Sequence, residues 1–293
     1  MSMERTKTWL TPWLFLGVPL IIYLIWVIGP MFYTFYLSLT NWDGLSTPGF
    51  VRFRNYARLF QDPVFFISLK NNLRWILAFI TVPVVCGLVL AMALNKSLPG
   101  DRFFKASFYA PMVLSLVVCG LIWSWMYHPE NGLINAVFRK LGLDSLTRGW
   151  LSDQNLVMWA VIAVAVWRQV GYVMVLYLAG LKNVDSWLVD ASKVDGANSW
   201  QVFRHVIMPQ LAPITVIVIT ISIIDSLRAF DLVSVMTRGG PYNSSSVLAN
   251  FMYIEAFNNY KMGYGAAVSV ILFLISLIFI GIYLRRVLKT EEA

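Results

Sequence analysis

Six stretches of this chain, roughly 13 to 36, 73 to 95, 107 to 127, 156 to 180, 212 to 234 and 266 to 284, are mainly apolar and long enough to cross a bilayer. A helix traverses a hydrocarbon core of about 30 Å in about 20 residues. Inside lipid no water bonds the backbone, so such spans must close their N–H and C=O groups internally, as helices do. The prediction is an all-α polytopic membrane protein with about six transmembrane helices, organised as a single domain over 1–293. Six spans leave both termini on one side. The balance of 58% hydrophobic to 13% charged residues, with a mean hydropathy of +0.67, excludes an ordinary soluble domain.

Residues 1 to 30 have some features of a secretory leader, since Arg5 and Lys7 precede an apolar run. The run continues to about Phe35, and Met31-Phe32-Tyr33 offers no small-residue cleavage site, so it reads as a retained first helix. Lys and Arg are split about evenly between the two sets of loops. The short loops decide the orientation: Lys96, Arg102 and Lys105, then Lys182, Lys193 and Arg204, then Arg285, Arg286 and Lys289 fall on one side, which is read as cytoplasmic. The net charge of +8 therefore needs no nucleic acid to explain it. Cys86 and Cys119 fall within spans as small apolar fillers, and His128 and His205 stand alone in loops. The outer segments at roughly 37 to 71, 128 to 155 and 235 to 265 are long and rich in aromatic residues, Asn and Gly. In the last, Met252, Tyr253, Ala256, Phe257 and Tyr260 keep helical spacing, suiting an interfacial helix or one that caps the bundle. Pro83 and Pro111 are expected to kink or start helices.

The hydrophilic island between spans four and five, about 182 to 211, has its own pattern. Asp190-Ala191-Ser192 and Asp195-Gly196-Ala197 place small residues where another backbone can approach closely, with two carboxylates as fixed acceptors. Gly196 suits the left-handed end of one short helix. Asn198, with Gln201 three residues on, resembles a capping box starting a second helix. Along that helix Trp200, Phe203 and Val206 or Ile207 recur at helical spacing until Pro209 stops it. A helix, turn and helix beside the membrane reads as a docking element for a soluble partner.

This island resembles the cytoplasmic loop, the EAA loop, of inner-membrane permeases from binding-protein-dependent ABC importers, and within them the maltose-type permeases for sugars and related solutes. That loop carries Glu-Ala-Ala, three residues, then Gly, with Asp before this Gly, Ala after it and Pro about a dozen residues on. Asp190 stands here for the Glu and Ser192 for the second Ala. Phe53, Asn55-Tyr56, Leu59-Phe60, Asp62, Phe65 and Asn72 resemble the family's first outer loop, Tyr109-Ala110-Pro111 its third span and Gly239-Gly240-Pro241 its last outer loop. The resemblance implies the type I ABC importer permease fold in a bacterial inner membrane, with both termini cytoplasmic. It also implies a second homologous permease subunit, two ATPase subunits on the cytoplasmic side and an extracytoplasmic solute-binding protein. Asp190, Ala191, Ser192, Asp195, Gly196, Ala197, Phe203, Ile207 and Pro209 would then form the ATPase-coupling surface. No Gly-x-x-x-x-Gly-Lys-Ser/Thr loop occurs, so the chain is expected to be non-catalytic and without a cofactor, ATP and Mg being held by the partner ATPases.

Charges inside spans are costly, about 2.5 to 3.5 kcal/mol each on insertion scales, and so mark candidate sites. Arg168 and Asp225 come out roughly 14 to 18 Å deep, near the bilayer midplane. Ala165, Arg168, Gln169 and Tyr172 share one helical face, and Ser222, Asp225, Ser226 and Ala229 share another. Such faces suit a hydroxyl-rich solute, because carboxylate, amide and guanidinium groups bond hydroxyls and a Tyr ring packs on a pyranose. In the maltose-type family the sugar-contacting residues lie on these two helices, so the resemblance assigns Arg168, Gln169, Tyr172, Ser222, Asp225, Ser226, Arg228 and Ala229 to a substrate site. A structural network is the other reading, in which Asp225, Arg228 and Asp231 pair along one helix and Arg168 joins from across the bundle.

An ion-coupled secondary carrier working through Asp225 is the alternative function; it needs no cytoplasmic docking helix. A membrane enzyme would need a metal cluster, nucleophile motif or catalytic pair, and no such spacing occurs in the sequence. A permease of the same superfamily for amino acids or metals fits the island but not the outer loops. Oligosaccharide, glycoside, polyol and glycerol phosphate all fit as cargo, the last through Arg168.

Overall fold

The structure, a computed structural model, describes residues 15–95 and 99–291. Arg5, Lys7 and Lys96 of the charge argument lie outside the described residues, as do the side chains of Arg286 and Lys289. The chain is helical, with an isolated antiparallel bridge between Thr40 and Phe50. In chain order the helices are α1 Phe15–Ser38, α2 Arg54–Leu59, α3 Pro63–Leu94, α4 Asp101–Val113, α5 Leu116–Met126, α6 Leu133–Lys140 and α7 Val157–Leu181. They continue with α8 Ser186–Val194, α9 Ser199–Gln210, α10 Ala212–Leu227, α11 Asp231–Met236, α12 Leu248–Tyr253 and α13 Met262–Glu291. Among the described residues four helices are long and apolar enough to cross a membrane alone, and two bent pairs raise the number to six. The chain divides into two compact units, Met1–Asp62 with Met252–Leu274, and Pro63–Phe251 with Ile275–Ala293.

In the first unit α1 exposes apolar side chains on nearly all sides, the mark of a helix whose neighbours are lipid tails. Asn55 of α2 donates from Nδ2 to the carbonyls of Ser38 and Thr40, both at 2.8 Å, and so ties off the end of α1. Tyr264 donates its hydroxyl to Asp62 at 2.8 Å, and the Arg58 guanidinium lies 4.7 Å from the centre of the same ring. These contacts give Asn55, Arg58 and Asp62 their places in the segment after the first span.

In the second unit α7 is central. It packs against α3, α4 and α10, and carries the buried Val157, Met158, Val161, Val164, Val173, Met174 and Tyr177. Several sequence expectations need correction here. The second span starts at Pro63, not near 73, because hydropathy misses the polar turn of Lys70, Asn71, Asn72 and Arg74. That places Phe65 and Asn72 in helix, where Asn71 donates to the carbonyls of Ser244 and Ser246, both at 2.8 Å. Pro83 sits inside α3 without ending it. The third span is two helices bent by 100°, since Leu114 and Ser115 are extended and Ser115 caps α5 by accepting from the Val118 amide. The fifth span breaks after Leu227 and resumes at Asp231. Pro209 does not stop its helix directly; α9 adopts a π-turn over Phe203–Ile207, runs on to Gln210 and meets α10 at 68°. Tyr260 has a positive φ of 52° and lies beyond the turn Ile254–Asn258 that extends α12.

A buried asparagine organises the segment after α5. Asn135 donates to the carbonyls of Pro129 and Arg148 at 2.9 Å, and its Oδ1 accepts from Trp150 Nε1 at 2.9 Å and from the Arg148 amide at 3.3 Å. Replacing it by Leu leaves several shielded groups unpaired, each costing about 1 kcal/mol or more. Asn135→Leu is expected to lower stability by about 3 kcal/mol; a thermal melt of the purified protein indistinguishable from wild type would contradict this.

Candidate functional site

A cavity of about 330 Å³ lies beside the middle of α7. Trp75 and Phe79 of α3, Met112, Leu116, Ala165, Arg168 and Gln169 line one part of it, and Asp225, Arg228, Ala229, Phe230, Asp231 and Leu232 the rest. The break between α10 and α11 makes this wall. Arg228 and Phe230 leave helical geometry, and Ser226 turns its hydroxyl back to the Ser222 carbonyl at 2.6 Å, a bond that competes with the backbone ladder. Interrupted helices at membrane depth are tolerated where they line a cavity or are held by protein. Asn72 supplies part of the hold: its Nδ2 donates to the Ser226 carbonyl at 3.2 Å and its Oδ1 accepts from the Leu248 amide at 2.8 Å.

Two intramembrane polar contacts set the electrostatics. Gln169, 3% exposed, donates from Nε2 to Asp225 Oδ2 at 3.2 Å. Arg168 instead reaches the end of α4, donating to the carbonyls of Met112 and Leu114 at 3.3 Å. Those carbonyls have lost their helical donors, and a cation there complements the helix dipole. Arg168 thus pins the bend between α4 and α5. The ion pairs Lys105–Asp101, Lys193–Asp190 and Lys261–Glu255 all lie away from the four cavity charges. The network of Asp225, Arg228 and Asp231 along one helix is therefore not formed, because the break puts Asp231 in α11.

Of the residues named for the solute site, the cavity brings together Arg168, Gln169, Asp225, Arg228 and Ala229. Tyr172 is half-buried outside its lining, Ser226 bonds within its own helix, and the Ser222 hydroxyl is buried without a partner among the described residues. Trp75 and Phe79 were missed. Their i, i+4 spacing was the only signal, and an apolar span gives the same signal for rings that face lipid.

The island forms a compact helix pair. Asp185 caps α8 by accepting from the Trp187 amide, and Asp195 closes it, followed by Gly196 at φ +85°. The Asn198–Gln201 capping box is present, with bonds of 2.8 and 2.9 Å. Gln210 Oε1 accepts from the Asp185 amide at 2.9 Å, joining the end of α9 to the start of α8. Asp190, Asp195, Gly196 and Pro209 are exposed, while Ala191, Ser192, Ala197, Phe203 and Ile207 are half-buried. A shallow groove bordered by Ser192, Asp195, Gly196, Ala197, Gln201, His205 and Val206 runs between the two helices. Asp190 holds Lys193 at 3.0 Å. Trp187, Val194 and Trp200 stand out as exposed apolar side chains on this polar island. At the other end, Tyr177 donates to Thr215 at 3.2 Å, fastening the start of α10 to α7.

The comparisons with known proteins agree with this architecture. The family model described as a binding-protein-dependent transport system inner membrane component matches residues 83–290. A probable ABC transporter permease of Pyrococcus horikoshii is 38% identical over 280 residues, covering 95% of this chain and 96% of its own. A probable starch degradation products transport system permease of Thermoanaerobacterium thermosulfurigenes is 32% identical over 281 residues, covering 95% of each. In fold, the chain is similar to a solved bacterial ABC transporter involved in import of the acidic polysaccharide alginate, with a TM-score of 0.81, 20% identity and coverage of 97% and 98%.

The family match, with the fold, defines a membrane-spanning component of a transport system. Within that class, the chain belongs to the family of inner membrane components of binding-protein-dependent transport systems, as an ABC transporter permease.

Proposed function

We propose that this permease carries a sugar or related polyhydroxylated solute, delivered by an extracytoplasmic binding protein, through the cavity beside Gln169 and Asp225. The observation that carries the reading is the cavity itself: polar and charged groups of two spans, gathered at a break in one of them. The name of the Thermoanaerobacterium relative supports the solute class. A second permease subunit completes the pathway, and two ATPase subunits bind ATP and Mg on the cytoplasmic side, where both termini also lie. Asp190, Ala191, Ser192, Asp195, Gly196, Ala197, Phe203, Ile207 and Pro209 contribute to the ATPase-facing surface. Nucleotide-driven closure moves α8 and α9 as one body through the Asp185–Gln210 bond, and α9 passes that motion to α10. The far end of α10 is the cavity wall.

Asp225→Asn, in the permease assembled with its partners in proteoliposomes, is expected to shift solute affinity about tenfold or change selectivity, with the amount of assembled complex unchanged. Lost assembly with unaltered selectivity would assign Asp225 to structure. The ion-coupled carrier predicts uptake that collapses with an uncoupler and survives ATP depletion; the reading here predicts the reverse.

A further inference from the structure

The segment that joins α5 to α7 carries an apolar face that the transport reading leaves unused. Leu133 and Val137 of α6 and its cap residue Leu141 follow one another at i, i+4 and i+8, so they share one side of the helix. They are 56%, 46% and 66% exposed. The side that packs is a different one: Asn135 is buried and bonded to Pro129, Arg148 and Trp150, and the Trp150 ring lies 5.8 Å from that of Tyr127 and 6.3 Å from that of Phe138. The roll of α6 about its axis is therefore set with the apolar stripe outward.

Its level is set as well. A Cβ on Gly132 would stand 2.5 Å from the Met126 carbonyl oxygen and 2.4 Å from that of His128, so the start of α6 sits directly against the last turn of α5. In that turn Trp125 is 76% exposed, and Trp159 in the first turn of α7 is also exposed. Tryptophans at the ends of spans mark the headgroup level of a bilayer, where one side of the ring is apolar and the other wet. The stripe thus begins where the membrane surface lies, at the end of α7 opposite α8 and α9. Lys140, seven residues after Leu133, is exposed and flanks the same stripe.

We infer that α6 is an interfacial helix lying in the plane of the bilayer, with Leu133, Val137 and Leu141 at the boundary of headgroups and acyl chains and Lys140 snorkelling to a lipid phosphate. The inference is independent of the solute assigned to the cavity. A docked soluble protein is the rival cover; it would have to enter the headgroup layer to reach a stripe that begins against the last turn of α5. Through Asn135 and Trp150 the helix is tied to the ends of both α5 and α7, so it acts as a float that holds those ends at the membrane surface.

The test is electron paramagnetic resonance of the permease complex in phosphatidylethanolamine and phosphatidylglycerol nanodiscs, with a nitroxide on p-acetylphenylalanine installed at Val137 and, as a reference in an exposed loop, at Ser145. Collision with oxygen, which dissolves in lipid, is compared with collision with a water-soluble nickel chelate. The expected ratio of oxygen to chelate accessibility at Val137 is about twofold or more above that at Ser145, and a smaller ratio overturns the inference. Low collision with both probes, in the complex alone or only after the solute-binding protein is added, means that protein covers the stripe and also overturns it. A second variant needs no label. Val137→Asp is expected to lower the melting temperature of the complex in nanodiscs by about 3 °C or more, since it sets a charge against lipid, and a smaller drop or none overturns the inference.

Discussion

Gly171→Ala is expected to lower the stability of the permease by about 1–3 kcal/mol, although it adds a single methyl group. A Cβ at that position would stand 2.0 Å from the Phe108 carbonyl oxygen, 2.7 Å from its carbon and 3.0 Å from the Tyr109 Cα. All three are backbone atoms of α4, so no side-chain rotation relieves the contact and the helices must move apart by about 1 Å or more. Overpacking of this kind costs about 1–3 kcal/mol, and a larger side chain more. The separation also draws the Met112 and Leu114 carbonyls away from Arg168, whose bonds already measure 3.3 Å. Gly171→Leu should abolish the assembled protein. Gly17 serves as control, since a Cβ there meets nothing within 4 Å, and Ala should be neutral or gain about 1 kcal/mol of helix propensity. The measurement is the monodisperse fraction on gel filtration with its melting temperature; equal behaviour of the two alanine variants would refute the tight α4–α7 crossing.

The second large effect is expected at the helix pair α8–α9, where Gly196→Asn and Gly196→Val should each lower transport by tenfold or more while leaving the amount of protein in the membrane unchanged. A Cβ at Gly196 meets nothing within this chain, so the internal cost is conformational only. At φ +85° that cost is about 1–2 kcal/mol for most residues and smaller for Asn, which tolerates the left-handed region. Asn therefore keeps the turn and adds bulk on its outer surface. If a partner backbone packs there, the Asn variant fails nearly as badly as Val and loses copurifying ATPase. Wild-type transport by Gly196→Asn, beside a defective Val variant, would mean that the turn matters and close approach does not.

Much of the architecture was legible because lipid imposes one rule on every backbone. The span near 156 to 180 agrees with α7 to within a residue, and the span near 13 to 36 ends within two residues of the end of α1. What hydropathy could not see were places where polar protein replaces lipid as the neighbour. The first turns of α3 are hydrophilic because Asn71 and Asn72 bond the backbone near Ser246 and Leu248, and an apolarity window cannot tell this from a loop. The breaks at Ser115 and after Leu227 were hidden for a related reason: their freed carbonyls are met by Arg168 and Asn72, residues distant in sequence. In the island the capping residues act locally, so its two helices and left-handed turn could be read directly. In the cavity, Arg168, Gln169 and Asp225 declared themselves by the expense of placing them in a span, whereas Trp75 and Phe79 cost nothing there and gave no such sign.

The elbow at Leu211 sets a mechanical scale for the whole subunit. Asp225 lies about 20 Å along α10 from that pivot, counting about 1.5 Å for each residue. A swing of only about 5° displaces it by about 2 Å, enough to part the Gln169–Asp225 bond of 3.2 Å. If α9 carries the motion proposed above, a slight rotation at this elbow releases the Gln169–Asp225 contact, and a small stroke suffices to drive it.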